Sequence, residues 1–493
     1  MKKLPFLKNA ALLTLTGILL RALGMLLRIY ISARIGEEGM GLYQLISSVY
    51  FLFITFAQSG VSVIVTRFCS SRLALGDSLG AYRVLKSGIV IALCLGSASA
   101  AALFLLSPIV CRLWIGDMRC VLSLRVLSVS LPFIALCNVF SAYFISLKNV
   151  KNGCIAQILE QLVRMVGVSL GAAFLSNRGL AIMLAAVFAA NPLSEAVSCA
   201  FLGISVCRSK HPYSKTYVSG TKRYIIKEAA PVAASKYLAS ALHTAENMLV
   251  PNAATLYTHS RSAALSAFGA LKGMAIPLIF FPSSFLTALS TLLVPEITEA
   301  YTRKDNNKLA SIVKRVCFIT LTLSIMLSGV FFIYHKNLGM LIYKSEQVSQ
   351  MLLWLAPIVP FMYLDSICDG LLKGLGLQRR VFYHNCIDSV SRLVLVCIVV
   401  PRFGISGFVA VMALSNMLVS TLNVSLLLKT AKVKCDFLGW ILKPLIAVFT
   451  SSIITNFLAP NGATLPKTIV GSALFCAVFL LLTAIFSGFK KVY

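Results

Sequence analysis

The sequence predicts an all-α polytopic membrane protein of about fourteen transmembrane helices, in two parallel six-helix lobes with two added C-terminal helices. Three observations carry that prediction: an apolar composition, a succession of apolar stretches of spanning length, and a repeat relating the two halves.

Of the 493 residues 58% are hydrophobic and only 12% are charged, and the mean hydropathy is +0.87. An ordinary soluble domain carries about twice that share of charge. A helix that crosses a bilayer needs about 20 mostly apolar residues, and only helices or closed barrels can satisfy their backbone groups in lipid. Such stretches run in the first half over 9–34, 42–66, 84–110, 121–147, 153–175 and 180–206. The second half gives 229–250, 263–294, 312–334, 350–372, 381–401 and 407–428, followed by 437–458 and 467–487. The expected organisation is therefore a lobe at 1–206, a cytoplasmic linker at 207–228, a second lobe at 229–428, and two additional helices within 429–493. Met1-Lys2-Lys3 opens a long apolar segment interrupted by arginines and without a small-residue cleavage site. It reads as a first spanning helix rather than a removed signal.

The net charge of +29 is explained by topology. With both termini in the cytoplasm, about 28 Lys and Arg fall on the inner side and about 8 on the outer side. Inner loops carry Arg67, Arg72, Arg83 and Lys86, then Arg208, Lys210, Lys215, Lys222 and Arg223, whereas the first outer turn reads Gly36-Glu37-Glu38-Gly39. This loop-by-loop distribution, without a single basic patch, argues against nucleic acid as a partner. The 14 cysteines form no CxxC pair and have no His partner at zinc spacing. Free apolar cysteine is the default; Cys111 and Cys120, flanking one outer loop, are the pair whose position also permits a disulfide.

Displacing the sequence by 228 residues places Gln157 on Asn385, Glu160 on Asp388, Arg164 on Arg392 and Leu131-Pro132-Phe133 on Val359-Pro360-Phe361. It also places Asp77 on Asp305 and Lys86 on Lys314. An even number of spans per copy makes the repeat parallel, an arrangement in which secondary transporters rock two halves around a site between them.

Charges within spans are costly, so they mark cavities, partners or interfaces. In the first span Thr14, Gly17, Arg21, Gly24, Arg28 and Ser32 follow helical spacing and form one polar stripe. Arg21 lies deep enough to face a cavity; Arg28 fits either a cavity or the outer surface, and Arg34 snorkels outward. In the seventh span Lys236, Ser240, His243 and Asn247 share a stripe with Glu246 beside it, and Lys272 is embedded in a span containing Pro277 and Pro282. Arg21, Arg28, Lys236, His243, Asn247 and Lys272 are thus candidates for binding an anionic headgroup such as a diphosphate, with Arg as a forked donor and Lys as a point charge. Glu160 and Arg164, and Asp388 and Arg392, are acid-then-base pairs at i, i+4, the order that favours an intrahelical ion pair. They serve structure, gating or coupling. Asp365 and Asp369, one turn apart, are candidates for a coupling proton or sodium; Asp369 has Lys373 as an alternative partner.

No clustered acids on long loops, HExxH, Gly-x-Ser-x-Gly or P-loop stands out, which disfavours an enzyme. Two-fold pseudo-symmetry with asymmetric charges disfavours a channel. A drug or cation antiporter on the same architecture stays open as the alternative to a carrier of an anionic lipid.

The stretches Gly24-Met25-Leu26-Leu27-Arg28 and Ala33-Arg34-Ile35-Gly36-Glu37-Glu38-Gly39-Met40-Gly41-Leu42-Tyr43 resemble the opening of the stage V sporulation protein B family. Gln157-Ile158-Leu159-Glu160-Gln161-Leu162-Val163-Arg164 and Leu293-Val294-Pro295-Glu296-Ile297 resemble two further segments. That family belongs to the multidrug/oligosaccharidyl-lipid/polysaccharide exporter superfamily and is similar to the MurJ-type lipid II flippases. The resemblance implies translocation of an undecaprenyl-diphosphate-linked glycan to the outer leaflet, in spore cortex or cell-wall synthesis; the sequence itself gives no sign of an oligomer, and a monomer without a cofactor is expected. It makes Arg21 the match to a cavity arginine, with Arg28 one residue further along than in those relatives and Lys272 where an uncharged residue is expected. It also implies a groove for the lipid tail at the last two helices.

Overall fold

The computed structural model describes residues 3–175, 178–208, 221–458 and 465–486. Lys210 and Lys215 of the expected linker, and the side chains of Lys222 and Arg223, lie outside the described residues. All regular structure among the described residues is helical. The chain divides into two compact units, Met1–Met248 and Leu249–Tyr493.

The first unit contains α1 (Lys3–Gln58), α2 (Val61–Ala74), α3 (Ser78–Val110), α4 (Val121–Ser128), α5 (Leu131–Ser146), α6 (Lys151–Leu175) and α7 (Leu180–Arg208). The boundary falls inside α8 (Thr221–Thr258). The second unit continues with α9 (Arg261–Phe268), α10 (Ile276–Thr302), α11 (Asn306–Ile333), α12 (His335–Leu338), α13 (Glu346–Leu355) and α14 (Val359–Gly374). It ends with α15 (Gln378–Ala431), α16 (Lys443–Leu458) and α17 (Leu465–Phe486).

Ten of these helical stretches among the described residues are long and apolar enough to cross a membrane, or eleven with the bent pair Met118–Ser128 and Leu131–Ser146. The sequence count is higher partly because α1 and α15 each join two of the expected spans. Each is broken at one residue, Gly36 (φ 69°, ψ −173°) and Gly404 (φ 60°, ψ −145°), a conformation in which a Cβ would clash with the backbone. The seventh expected span lies in α8, whose sequence is more polar than the others. Large apolar side chains face outward, with Phe174 80% and Phe457 88% exposed, as expected of a surface solvated by lipid.

The 228-residue offset recurs in the backbone. Left-handed residues Gly76, Gly116 and Lys148 correspond to Lys304, Lys344 and Gly376, and the π-turn Cys111–Ile115 corresponds to Gly339–Tyr343. Asp77 caps α3 by accepting from the Gly80 N–H at 2.6 Å, and Asp305 caps α11 by accepting from the Lys308 N–H at 3.0 Å. Helices α5 and α14 begin and end 228 residues apart.

Within lipid, helices associate through close packing and satisfied polar groups. Ser107 donates to the Phe104 carbonyl at 2.8 Å and Ser324 to the Leu321 carbonyl at 3.1 Å, so their hydroxyls need no outside partner. Helices α16 and α17 pack on α11 through Ala447, Phe475 and Phe479 against Met326, Val330 and Tyr334. Lys443 closes their far end by donating to the Phe486 carbonyl at 2.7 Å.

Candidate functional site

The first unit contains an open cavity of about 540 Å³. Both arms of α1 reach it, the first through Gly24, Leu27, Arg28 and Ile31, at helical spacing, and the second through Tyr43, Gln44, Tyr50 and Gln58. Helix α5 adds Asn138, and α6 turns Gln157, Glu160, Gln161 and Arg164 inward, positions three to four residues apart. Helix α7 contributes Phe188, Asn191 and Glu195. Tyr43 stacks on Phe188 with ring centroids 4.8 Å apart, joining α1 to α7. Ser130 donates to the Leu127 carbonyl at 2.6 Å, so its bond with Tyr50 has the phenol as donor.

Arg164 Nη2 donates to Glu160 one turn earlier and lies 3.5 Å from Glu195 Oε1 on α7. One guanidinium therefore faces two carboxylates. Arg28 is half-buried on the same cavity wall, and among the described residues no carboxylate lies within ion-pair distance of it.

The second unit repeats the motif with altered partners. Arg392 Nη2 donates to Asp388 at 2.6 Å, and its Nε donates to Ser415 Oγ at 3.0 Å; the Ser415 hydroxyl in turn donates to Asp388. At the position 228 residues after Glu195 stands Asn423, whose Nδ2 donates to Asp365 Oδ1 at 2.8 Å. Its carbonyl oxygen accepts from His384 Nδ1 at 2.7 Å, which fixes the histidine tautomer once the amide is oriented by Asp365. Asp369 pairs with Lys373 at 2.5 Å, the alternative partner expected from the sequence.

The remaining sequence candidates lie elsewhere. Arg21, Lys236 and His243 are exposed and do not line the cavity. Asn247 is fully buried, donates to Ser48 Oγ at 2.9 Å and contacts His243 Nδ1 at 3.3 Å. Thr244 donates to the Ser48 carbonyl at 3.1 Å, so this face of α8 is tied to the second arm of α1. Lys272 sits in the π-turn Gly269–Ala275, with its ammonium 5.3 Å from the Phe408 ring centroid. Arg34 lies over the Tyr30 ring at 5.4 Å. Cys111 and Cys120 are both buried and are not joined in a disulfide. No group of three His, Cys, Asp or Glu among the described residues could hold a metal ion.

Sequence reasoning passed over Glu195, although a lone acid in an otherwise apolar span was the available signal. It also passed over the amides of α1 and α7, which carry no charge and gain significance only where helices converge.

The family model described as Polysaccharide biosynthesis protein matches residues 6–300, and the one described as MatE matches residues 237–398. Stage V sporulation protein B of Bacillus subtilis (strain 168) is 23% identical over 509 aligned residues, covering 100% of this chain and 97% of that protein. Among solved structures, lipid II flippase MurJ in an inward closed conformation superposes with a TM-score of 0.70 at 14% identity, covering 96% of this chain and 98% of that one. An inward-facing multidrug resistance MATE family transporter of the MOP superfamily gives a TM-score of 0.67 at 16% identity, covering 84% of this chain and 94% of that one. At these identities the structural likeness shows a shared fold.

Proposed function

Because the chain belongs to the polysaccharide biosynthesis protein family, we propose that it carries an undecaprenyl-diphosphate-linked glycan from the inner to the outer leaflet of a bacterial cytoplasmic membrane by alternating access. The glycan is a peptidoglycan precursor such as lipid II or a polysaccharide repeat unit, and the setting is spore cortex or cell-wall synthesis.

The observation that carries this reading is Arg28: a half-buried guanidinium without a carboxylate partner, on the wall of a polar cavity inside a bundle of apolar helices. Holding a cation there is costly unless an anion visits it, and a guanidinium matches the paired oxygens of a phosphate. Arg21, Lys236 and His243, exposed outside the cavity, are the further first-unit groups proposed to meet the substrate and Lys272 the second-unit one, whereas Asn247 is spent on holding α8 to α1 through Ser48. The polyprenyl tail stays in lipid. Glu160, Arg164, Asp365, Asp369, Asp388 and Arg392 hold the helices or couple the cycle to a proton or sodium. Moving one charge is worth about 2.3 kcal/mol per 100 mV of membrane potential. The protein acts as a monomeric transporter without a cofactor, with both termini in the cytoplasm, and not as an enzyme.

Proteoliposomes containing a labelled lipid-linked disaccharide test the reading. The wild type moves label across the bilayer and Arg28→Ala does so at least about tenfold more slowly, the loss of one charge-assisted contact of roughly 1.5 to 3 kcal/mol. A wild type that leaves the glycolipid in place but expels cationic drugs would establish the second reading, a MATE-type antiporter, which the match of residues 237–398 to the MatE model favours.

A further inference from the structure

We propose that the cavity of the first unit is a sugar-binding compartment, which receives the uncharged glycan of the lipid-linked substrate beside the diphosphate held at Arg28; this rests on the flippase reading above. The cavity wall carries six side-chain amides: Gln44 and Gln58 on α1, Asn138 on α5, Gln157 and Gln161 on α6, and Asn191 on α7. Asn138 donates to the Ile134 carbonyl at 3.0 Å. Among the described residues the other five have no protein partner for their side-chain amide. Each amide offers two donors and an acceptor with two lone pairs. In a bundle where serine and threonine hydroxyls are mostly turned back onto their own helices, five uncommitted amides converging from three helices leave this hydrogen-bonding capacity for what enters the cavity.

Charge decides the class of ligand. The cavity has two arginines and two glutamates, and Arg164 is occupied by Glu160 and Glu195. Away from Arg28 the wall is therefore neutral or acidic, which repels phosphate and accommodates hydroxyl and acetamido groups, each both donor and acceptor. The volume of about 540 Å³ lies within the roughly 300 to 1,000 Å³ of small-molecule sites. Arg28 and the amides line the same cavity, so the two chemistries of such a headgroup have different partners there, the cation for the diphosphate and the amides for the sugar.

The test measures binding by the full-length protein in nanodiscs to two probes, undecaprenyl diphosphate alone and undecaprenyl diphosphate bearing an N-acetylated disaccharide. The wild type binds the sugar-bearing lipid more tightly. Gln157→Leu with Gln161→Leu weakens that binding by about tenfold, equivalent to 1.4 kcal/mol, and leaves the bare lipid within about twofold. If this pair lowers the melting temperature or aggregates, Gln44→Met with Gln58→Met replaces it with the same expectation. Equal weakening for both lipids, or no weakening for either, overturns the sugar assignment while leaving the flippase reading intact. A wild type that binds neither lipid overturns the flippase reading itself.

Discussion

At the scale of single residues, the chemistry of the first unit turns on two arginines in one cavity with opposite circumstances. Arg164 is held by Glu160 and Glu195, both mostly shielded from solvent, with side-chain exposures of 21% and 12%. Removing it leaves two carboxylates facing each other in a poorly solvated site. Arg164→Met is therefore expected to lower stability by about 3 kcal/mol, in the range for breaking a buried pair. Adding Glu160→Gln and Glu195→Gln recovers most of the loss because no charge then remains uncompensated; thermal unfolding in detergent measures both. Arg28 behaves differently. Arg28→Ala leaves the melting temperature nearly unchanged, since no ion pair is broken, and slows transport at least about tenfold. The pair Glu160 and Arg164 was legible in the sequence because both partners sit on one helix at i, i+4. The bond from Arg164 to Glu195 joins residues on α6 and α7, a contact that spacing along one chain segment cannot reveal.

At the scale of elements, the two glycine breaks make the spans what they are. Gly36 and Gly404 hold dihedrals that an L-residue reaches only at a cost of about 1 to 3 kcal/mol. A Cβ on Gly36 meets no atom within 4 Å, so Gly36→Ala isolates the backbone term and lowers the melting temperature by strain alone. A Cβ on Gly404 would lie 2.6 Å from Tyr257 Cδ1, so Gly404→Ala combines strain with a clash. Adding Tyr257→Ala relieves part of that loss and leaves the remainder near the Gly36→Ala value. The outer turn around Gly36 was visible in the sequence as Gly-Glu-Glu-Gly. The break at Gly404 also falls between the expected spans 381–401 and 407–428, but it lies three residues before Gly407, the glycine that the repeat aligns with Gly179. The repeat fixes register across most of a unit, while a short connection can move along the chain without disturbing the helices it joins.

At the scale of the whole molecule, the direction of transport depends on which ends of the helices face the cytoplasm, and charge at the ends of α11 provides a test. Its N-terminal end carries Arg303, Lys304, Lys308, Lys314 and Arg315, whereas the far end carries Lys336, Lys344 and Glu346. Basic residues near span ends are retained on the cytoplasmic side, so the N-terminal end of α11 is expected inside. The chain has 14 cysteines, which must first be replaced to give a silent background. Asn307 and Glu346 are exposed at opposite ends of the segment, and cysteine there disturbs no buried contact. In intact cells a membrane-impermeant maleimide is expected to label Glu346→Cys and to reach Asn307→Cys only after permeabilisation. The opposite pattern would invert the topology and with it the inward-to-outward direction of the proposed cycle. Because α3 and α11 begin 228 residues apart with matching aspartate caps, Ser78→Cys should label from the same side as Asn307→Cys. Labelling from opposite sides would make the repeat an inverted one, for which rocking of two parallel halves is the wrong mechanism.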